Sequence, residues 1–354
     1  MRVLVVGGTG FIGPEVVTNL VQRGHDVMLF HRGRTSADLP VQVQHILGER
    51  GSIAESAGEF KRFAPEVVLD MWPHGEQDAR AVVGLFTGLA HRTVAVSSQD
   101  VYRAYGKLLG IEAGPPDPVP LAENAPLREQ LYPYRGVTPR SQDDPDYWMD
   151  DYEKIAVERA YLSEPNLPGT ILRLPMVYGP RDDQHRFFDW LKRMNDQRPA
   201  IILDEHIASW RWTRGYVENV AAAIALTVVD ARATGHTYNV GEVETLTWRE
   251  WAHKTARAVG WNGALVIVPP ERLPAHLVSH LDYRQHLLTD SSRIRQELGY
   301  AEPVPLNEAL SRTIAWERAN PPEKIDLERF DYTAEDEVLA GLRPSDLSEH
   351  FGNS

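Results

Sequence analysis

The sequence predicts an α/β protein: a doubly wound parallel sheet followed by a smaller α/β lobe. Three observations carry that prediction. The chain opens on an apolar strand, "RVLVV" at residues 2–6, which runs directly into the glycine-rich turn "GGTGFIG". Strand-like and helix-like stretches then alternate as far as residue 170, as right-handed βαβ crossovers require. Beyond Pro180 the elements become short and mixed, as in a second, smaller lobe.

Taken in order, "PEVVTNLVQRG" places Val16, Val17, Leu20 and Val21 on one helical face, with Gly24 as its C-terminal cap. Pro14 falls in the first turn, where a missing N–H costs little. A second strand, "DVMLFHR", begins at Asp26. "EVVLDMW" (66–72) and "RTVAVSS" (92–98) read as buried strands, and "DARAVVGLFTGLA" (78–90) as the helix between them. From Gly110 to Pro145 the chain is rich in proline and charge. This is an ordered excursion over the surface, and a lid and a plain long loop are its two readings. A helix over "WMDDYEKIAVE" (148–158) and a strand with its exit loop over "GTILRLPMVYGP" (169–180) follow. These features divide the chain into a dinucleotide-binding domain at 1–170, completed by part of 210–245, a substrate lobe at 171–319, and an extension at 320–354. The extension holds nine Asp/Glu and three Lys/Arg, and is expected to pack on the surface or stay mobile.

The 354 residues are 42% hydrophobic and 25% charged, an ordinary globular composition, with a net charge of −13. An acidic surface argues against nucleic-acid binding. The absence of cysteine excludes disulfides, thiol nucleophiles and Cys-ligated metals, and no metal site is expected. "MRVLVVGG" is apolar for too few residues to be a leader or a membrane span, so a cytoplasmic protein is the expectation.

Gly7, Gly10 and Gly13 form G-x-x-G-x-x-G between a strand and a helix. The first permits the tight turn, the second lets the backbone approach a pyrophosphate, and the third lets helix and strand pack closely. This is the phosphate-binding turn of a Rossmann-type domain, with Phe11 and Ile12 inside it. At the end of the second strand an NAD site usually carries an acidic residue for the ribose 2′-OH. Here the residues are His31, Arg32, Gly33, Arg34, Thr35 and Ser36. Two arginines suit a 2′-phosphate by charge and by forked hydrogen bonds, which favours NADP over NAD.

With these features in place, the chain resembles the extended short-chain dehydrogenase/reductase superfamily, in its NAD-dependent epimerase/dehydratase branch. "SSQDVY" (97–102) resembles the family's Ser/Thr-x-x-Val-Tyr strand end, and "KIAVE" (154–158) the Lys-x-x-x-Glu of its catalytic helix. "LRLPMVYGP" (172–180) is similar to its Arg-x-x-Asn-Val-Tyr-Gly-Pro loop, and "YNVGE" (238–242) with "DSSRIRQELGY" (290–300) to its C-terminal lobe. The resemblance implies a dinucleotide held across the strand ends with Pro175 beside it, a small-molecule substrate such as a nucleotide sugar beneath the smaller lobe, and a homodimer.

It also implies a catalytic tyrosine four residues before a lysine, the two sharing one helical face. Ser98 takes the family's Ser/Thr position and Lys154 the lysine position, where it also holds the cofactor. Four before Lys154, however, stands Asp150, and Tyr152 is only two before, about 200° round a regular helix. Three readings stand open. The helix begins late and Tyr152 still reaches the site; or Asp150 is the base, its pKa raised by desolvation; or another group serves, such as Tyr147, Tyr102 or Tyr105, or the site is inert. Asp100 stands where the family's dehydratases carry one of two acids and is either a general acid/base or a loop cap; Gln99 replaces the other acid. In the substrate cleft, Met176 replaces a common asparagine, and Trp72 and His74 stand where small residues leave room. Trp212 falls at the position of a substrate-binding arginine, for which Arg211 or Arg214 would substitute. Trp210 and Trp212, two apart on a strand, share one face, and the pair reads as core packing or as rings that stack on a nucleobase or sugar; His185 and Arg186 read equally as substrate contacts or solvated loop residues. The expected activity is that of an NAD(P)-dependent epimerase/dehydratase-like oxidoreductase acting on a hydroxyl or ketone of a sugar-like substrate. The competing reading is a cofactor-binding regulator or sensor of the same fold.

Overall fold

The computed structural model describes residues 1–35, 37–141 and 143–342. Its strands are β1 (Arg2–Val6), β2 (Asp26–His31), β3 (Gln44–Leu47), β4 (Val67–Asp70), β5 (Arg92–Ser98), β6 (Gly169–Leu174), β7 (Met176–Tyr178), β8 (Ala200–Asp204), β9 (Arg214–Tyr216), β10 (Thr237–Asn239) and β11 (Ala264–Val268). The helices are α1 (Gly13–Gln22), α2 (Ala57–Phe63), α3 (Glu76–Phe86), α4 (Arg103–Leu108), α5 (Lys154–Leu162), α6 (Phe188–Asn195), α7 (Glu205–Ser209), α8 (Val217–Val229), α9 (Trp248–Val259), α10 (Ser292–Leu298), α11 (Leu306–Ala319) and α12 (Tyr332–Ala340).

Seven strands form one parallel sheet in the order β10-β6-β5-β4-β1-β2-β3. The two-residue period of a strand sorts its side chains. Val3 and Val5 join one core with Val16, Val17 and Leu20 of α1 and with Val220 and Ile224 of α8. Leu4 and Val6 join the opposite core with Phe60, Val82, Phe86 and Tyr161. A strand buried on both faces must be apolar throughout, which is why "RVLVV" does not alternate. The crossovers leave β1 in opposite directions toward β2 and β4, and the crevice at that switch point opens at the C-terminal strand ends.

The boundary drawn at residues 170–171 falls inside β6, which is an integral strand of the large sheet because its apolar run pairs with β5. The chain returns to this sheet again with α8 and β10. The smaller lobe pairs β8 with β11 and β7 with β9. The acidic extension is exposed over residues 323–329 and packs from Phe330 onward. Val338, Leu339 and Leu342 cover the outer face of the β8–β11 pair. Glu335 is buried against Arg193 at 2.6 Å and His276 at 3.1 Å. The extension's acidity therefore includes buried charge pairing as well as a solvated face. Residues 343–354 lie outside the described part.

Candidate active site

The C-terminal ends of β1, β4, β5 and β6 open into a cleft of about 660 Å³. One wall is the glycine turn. Gly7 and Gly8 take φ of +87° and +100°, which L side chains rarely adopt. A Cβ on Gly13 would lie 2.3 Å from the Gly8 backbone, whereas nothing lies within 4 Å of one on Gly10. The turn is thus closed underneath and open above, with the amino end of α1 behind it. That shape fits a pyrophosphate. Phe11, Ile12 and Pro175 line the same cleft.

At the end of β2, the His31 ring bridges to the neighbouring strand and to its own loop: Nε2 lies 2.9 Å from Nδ1 of His45 on β3, and Nδ1 accepts the Gly33 N–H at 3.2 Å. Arg34 pairs with Glu49, both largely exposed, and Arg32 is exposed. Ser36 lies outside the described residues.

The helix expected over residues 148–158 is two pieces. A 3-10 turn spans Tyr147–Asp151, Tyr152 and Glu153 are extended, and α5 starts at Lys154. The 200° argument therefore does not apply, because no helix joins Tyr152 to Lys154. The extended pair turns the Tyr152 ring back into the cleft, with Lys154 Nζ 5.4 Å from the ring centroid. Glu153 holds this shape. Its buried carboxylate accepts the Ile155 N–H at 2.8 Å, capping α5, and the Tyr132 N–H at 2.6 Å, and pairs with the buried Arg128 at 3.3 Å. Arg128 and Tyr132 belong to the proline-rich excursion.

Tyr152 donates to Asp100 Oδ2 at 2.8 Å and also has Ser98 as a hydrogen-bond neighbour. Ser98 Oγ accepts the Asp100 N–H at 3.2 Å. Burial first, then the Asp100 charge, pushes the Tyr152 phenol well above its usual range. Burial pushes the Asp100 carboxyl up, against the pull of Arg128, Tyr152 and Lys154. Lys154 is pushed down to about 8 by burial, with Nζ donating to the carbonyls of Pro73 at 2.6 Å and Val96 at 3.2 Å. Behind it, Glu158 accepts from Ser97 at 2.6 Å and pairs with Arg173 at 2.7 Å.

Asp150 does not belong to this constellation. It lies outside the cleft lining, paired with Arg140 at 2.9 Å, because the 3-10 turn points it away. Tyr147 is likewise off the lining, and Tyr102 is buried with its hydroxyl on Asn239 at 2.7 Å. Tyr105 does line the cleft, with its hydroxyl 3.0 Å from that of Tyr134. Tyr134, Trp148 and Met149 also line it. Sequence reasoning missed these three, which sit in the excursion and the 3-10 turn, where no periodicity marks a side chain's direction.

Among the substrate-side expectations, Trp72, Met176, Trp212 and Arg186 line the cleft. His74 stands behind the wall, its ring 4.8 Å from that of Trp72 and 5.0 Å from that of Trp148, and burial pushes it down to about 4. Arg211 turns to the Thr245 carbonyl and lies 4.0 Å from Glu250. Arg214 is buried among Phe187, Trp190, Trp248 and Trp251, 4.5 Å from the Trp251 centroid, and burial pushes it down to about 9. Neither arginine takes the substrate position proposed for it. Trp210 is core, its Nε1 donating to the Gln285 carbonyl at 2.8 Å. His185 pairs with Glu317 at 2.8 Å. Among the described residues, no group of three or more His, Asp or Glu is placed to hold a metal ion.

A parallel sheet with a closed glycine turn, and with Ser, Tyr and Lys gathered at the strand ends, defines a dinucleotide-dependent oxidoreductase of the extended short-chain type. The profile of the NAD dependent epimerase/dehydratase family matches residues 3–74 and 131–241, just over half of the chain. The protein belongs to that family and is an NAD(P)-dependent enzyme of its epimerase/dehydratase or reductase kind. It is 28% identical over 278 residues to a 2'-dehydrokanamycin reductase of Streptomyces kanamyceticus, covering 77% of this chain and 70% of that one. It is 28% identical over 324 residues to a 3-diazoavenalumate denitrifying reductase of a Streptomyces species, covering 86% and 97%. In fold it is similar to the UDP-glucose 4-epimerase of Thermotoga maritima solved with UDP-glucose, with a TM-score of 0.65, 19% identity, and 90% and 99% of the two chains covered.

Proposed function

We propose that this enzyme is an NADP-preferring oxidoreductase that interconverts a hydroxyl and a ketone on a sugar-like substrate, with Tyr152 and Asp100 sharing the proton. The observation that carries this reading is the Tyr152–Asp100 hydrogen bond of 2.8 Å, inside the cleft and beside Ser98 and Lys154. The backbone of Gly7–Gly13, with Phe11, Ile12, Pro175 and Lys154, would hold the cofactor, which when bound exchanges hydride with the substrate carbon.

A phenol whose pKa is pushed up is a poor source of phenolate, so Tyr152 does not act as a standing base. It acts as a relay. In oxidation its oxygen takes the substrate hydroxyl proton while its own proton passes to Asp100 Oδ2; in reduction the transfers reverse. The raised affinity of Asp100 for a proton suits it to the end of that relay. Ser98 orients the substrate oxygen. Lys154, held by two carbonyls, supplies positive charge against the oxyanion. The regulator reading rests on the missing tyrosine at position 150 and on the altered cleft; Tyr152, lining the cleft, offers the phenol that position 150 does not, which supports the enzymatic reading.

Arg32 is the residue proposed to bind a 2′-phosphate. Arg34 can join it, because an exposed ion pair such as Arg34–Glu49 contributes about 0–1 kcal/mol and is readily exchanged. Titration of NAD and NADP should show tighter binding of NADP, lost in Arg32→Ala; equal affinities unchanged by that substitution would refute the phosphate role. With panels of ketones and sugars followed by nicotinamide absorbance and by exchange in deuterated water, Lys154→Ala and Ser98→Ala should each abolish the activity found. Activity that survives both would remove these residues from the mechanism. A homodimer, expected from the resemblance, is checked by light scattering.

A further inference from the structure

We propose that the cleft takes an unphosphorylated ring bearing hydroxyl or ammonium donors, held by aromatic rings and by Asp100, and that it does not take a nucleoside diphosphate. This rests on the reading of the cleft as the substrate site of a dinucleotide-dependent enzyme.

The first observation is charge. The glycine turn is given to the pyrophosphate of the cofactor, so a second diphosphate on the substrate side would need cations free to form forked or paired contacts. Among the described residues, the cations lining the cleft are Lys154 and Arg186. Lys154 is committed to two carbonyls beside the reacting groups. Arg186 is paired with the buried Asp182. Arg211 and Arg214, the other arginines of the neighbouring segment, are turned outward and enclosed by aromatic rings respectively. Facing Lys154 and Arg186 on the same lining stand Asp100 and Asp183. Beyond the glycine turn, the cleft thus has no surplus positive charge to offer a second diphosphate.

The second observation is a built polar contact without a partner. Asp100 is 6% exposed and lines the cleft, yet its Oδ1 accepts no hydrogen bond while Oδ2 accepts from the hydroxyls of Tyr152 and, at 3.4 Å, Tyr134. A buried acceptor left empty is costly. A donor on the ligand, hydroxyl or ammonium, would satisfy it.

The third is the wall. Trp72, Tyr105, Tyr134, Trp148 and Trp212 supply flat apolar faces to the same cleft lining. Such faces stack on ring C–H surfaces and attract a cation. The volume agrees: about 660 Å³ must hold the reactive end of a dinucleotide as well as the substrate, and a single drug-sized ligand commonly fills roughly 300–1,000 Å³. The space left suits a compact ring and not a second nucleotide.

The test follows tryptophan fluorescence and thermal stability of the NADPH-loaded protein during titration with four probes: UDP, UDP-glucose, methyl glucoside and glucosamine. The expected result is saturable quenching and a raised Tm with methyl glucoside or glucosamine, weakened roughly tenfold or more in Asp100→Asn, and no response to millimolar UDP or UDP-glucose. Preference for glucosamine identifies the donor as ammonium, and equal binding of the two identifies it as hydroxyl. Saturable binding of UDP or UDP-glucose, or no response to either unphosphorylated ring, overturns the proposal. A protein that fails to take up NADPH at all strikes instead at the underlying reading of the site.

Discussion

Glu153→Ala is the perturbation that best tests how Tyr152 enters the cleft. The carboxylate is 1% exposed and serves Arg128, the Tyr132 N–H and the Ile155 N–H together. Breaking a buried ion pair from one side costs about 3–5 kcal/mol. Arg128 keeps two carbonyl acceptors, on Asp100 and Gln130, each at 2.6 Å. The loss from the pair therefore falls at the lower end, about 3 kcal/mol, with the lost helix cap adding about 1 kcal/mol. Urea denaturation of wild type and variant at neutral pH measures the sum. Glu153→Gln retains a carbonyl acceptor for one of the N–H groups, and its loss should be roughly half. Replacing both partners, as in Arg128→Met with Glu153→Leu, should cost less than Glu153→Ala alone, because no uncompensated charge remains buried. The functional readout is separate from stability. With the tether gone, Tyr152 is no longer held on Asp100, so kcat of the turnover found in the substrate panel should fall far more than KM changes. A loss below about 1 kcal/mol in Glu153→Ala, or turnover unchanged in the folded variant, would refute the role given to this carboxylate.

Three further outcomes are expected. Gly13→Ala should abolish cofactor binding or folding, since its Cβ would sit 2.3 Å from the Gly8 backbone; NADPH fluorescence titration and circular dichroism check it, and a variant that binds normally contradicts the packing described. Asp100→Asn should be inactive yet more stable than wild type near neutral pH. The folded pKa of Asp100 lies above its usual 3.8, so the wild type loses stability as pH rises through the interval between them. The advantage of the variant should accordingly shrink as the pH falls toward 3.8 and below; a variant less stable at neutral pH refutes the sign. His74 is pushed from 6.5 to about 4, so the unfolded chain binds the extra proton between those values and stability is lost as pH falls through that window, by about 3 kcal/mol from this group. In His74→Gln the slope of denaturation free energy against pH between 4 and 6.5 should flatten, and an unchanged slope would count against it.

The linear chain determined the architecture because the responsible forces are local. Continuous apolar runs such as "RVLVV" demand burial on both faces, and Gly7, Gly10 and Gly13 satisfy steric needs that only missing side chains can meet. Lys154 and Ser98 were legible through the family resemblance, which the stretches "KIAVE" and "SSQDVY" carry. The position of Tyr152 was not. Counting residues back from Lys154 assumes a helix, and the assumption fails because Glu153 is bound from outside by Arg128 and Tyr132, more than twenty residues earlier in the chain. Arg211 and Arg214 were misplaced on the same ground: their charge is visible in sequence, but only packing decides that one turns to Thr245 and the other is enclosed by four aromatic rings. Sequence thus determined which groups the chain has and which layers they belong to. Tertiary contacts, being long-range and set by burial, decided which of those groups meet.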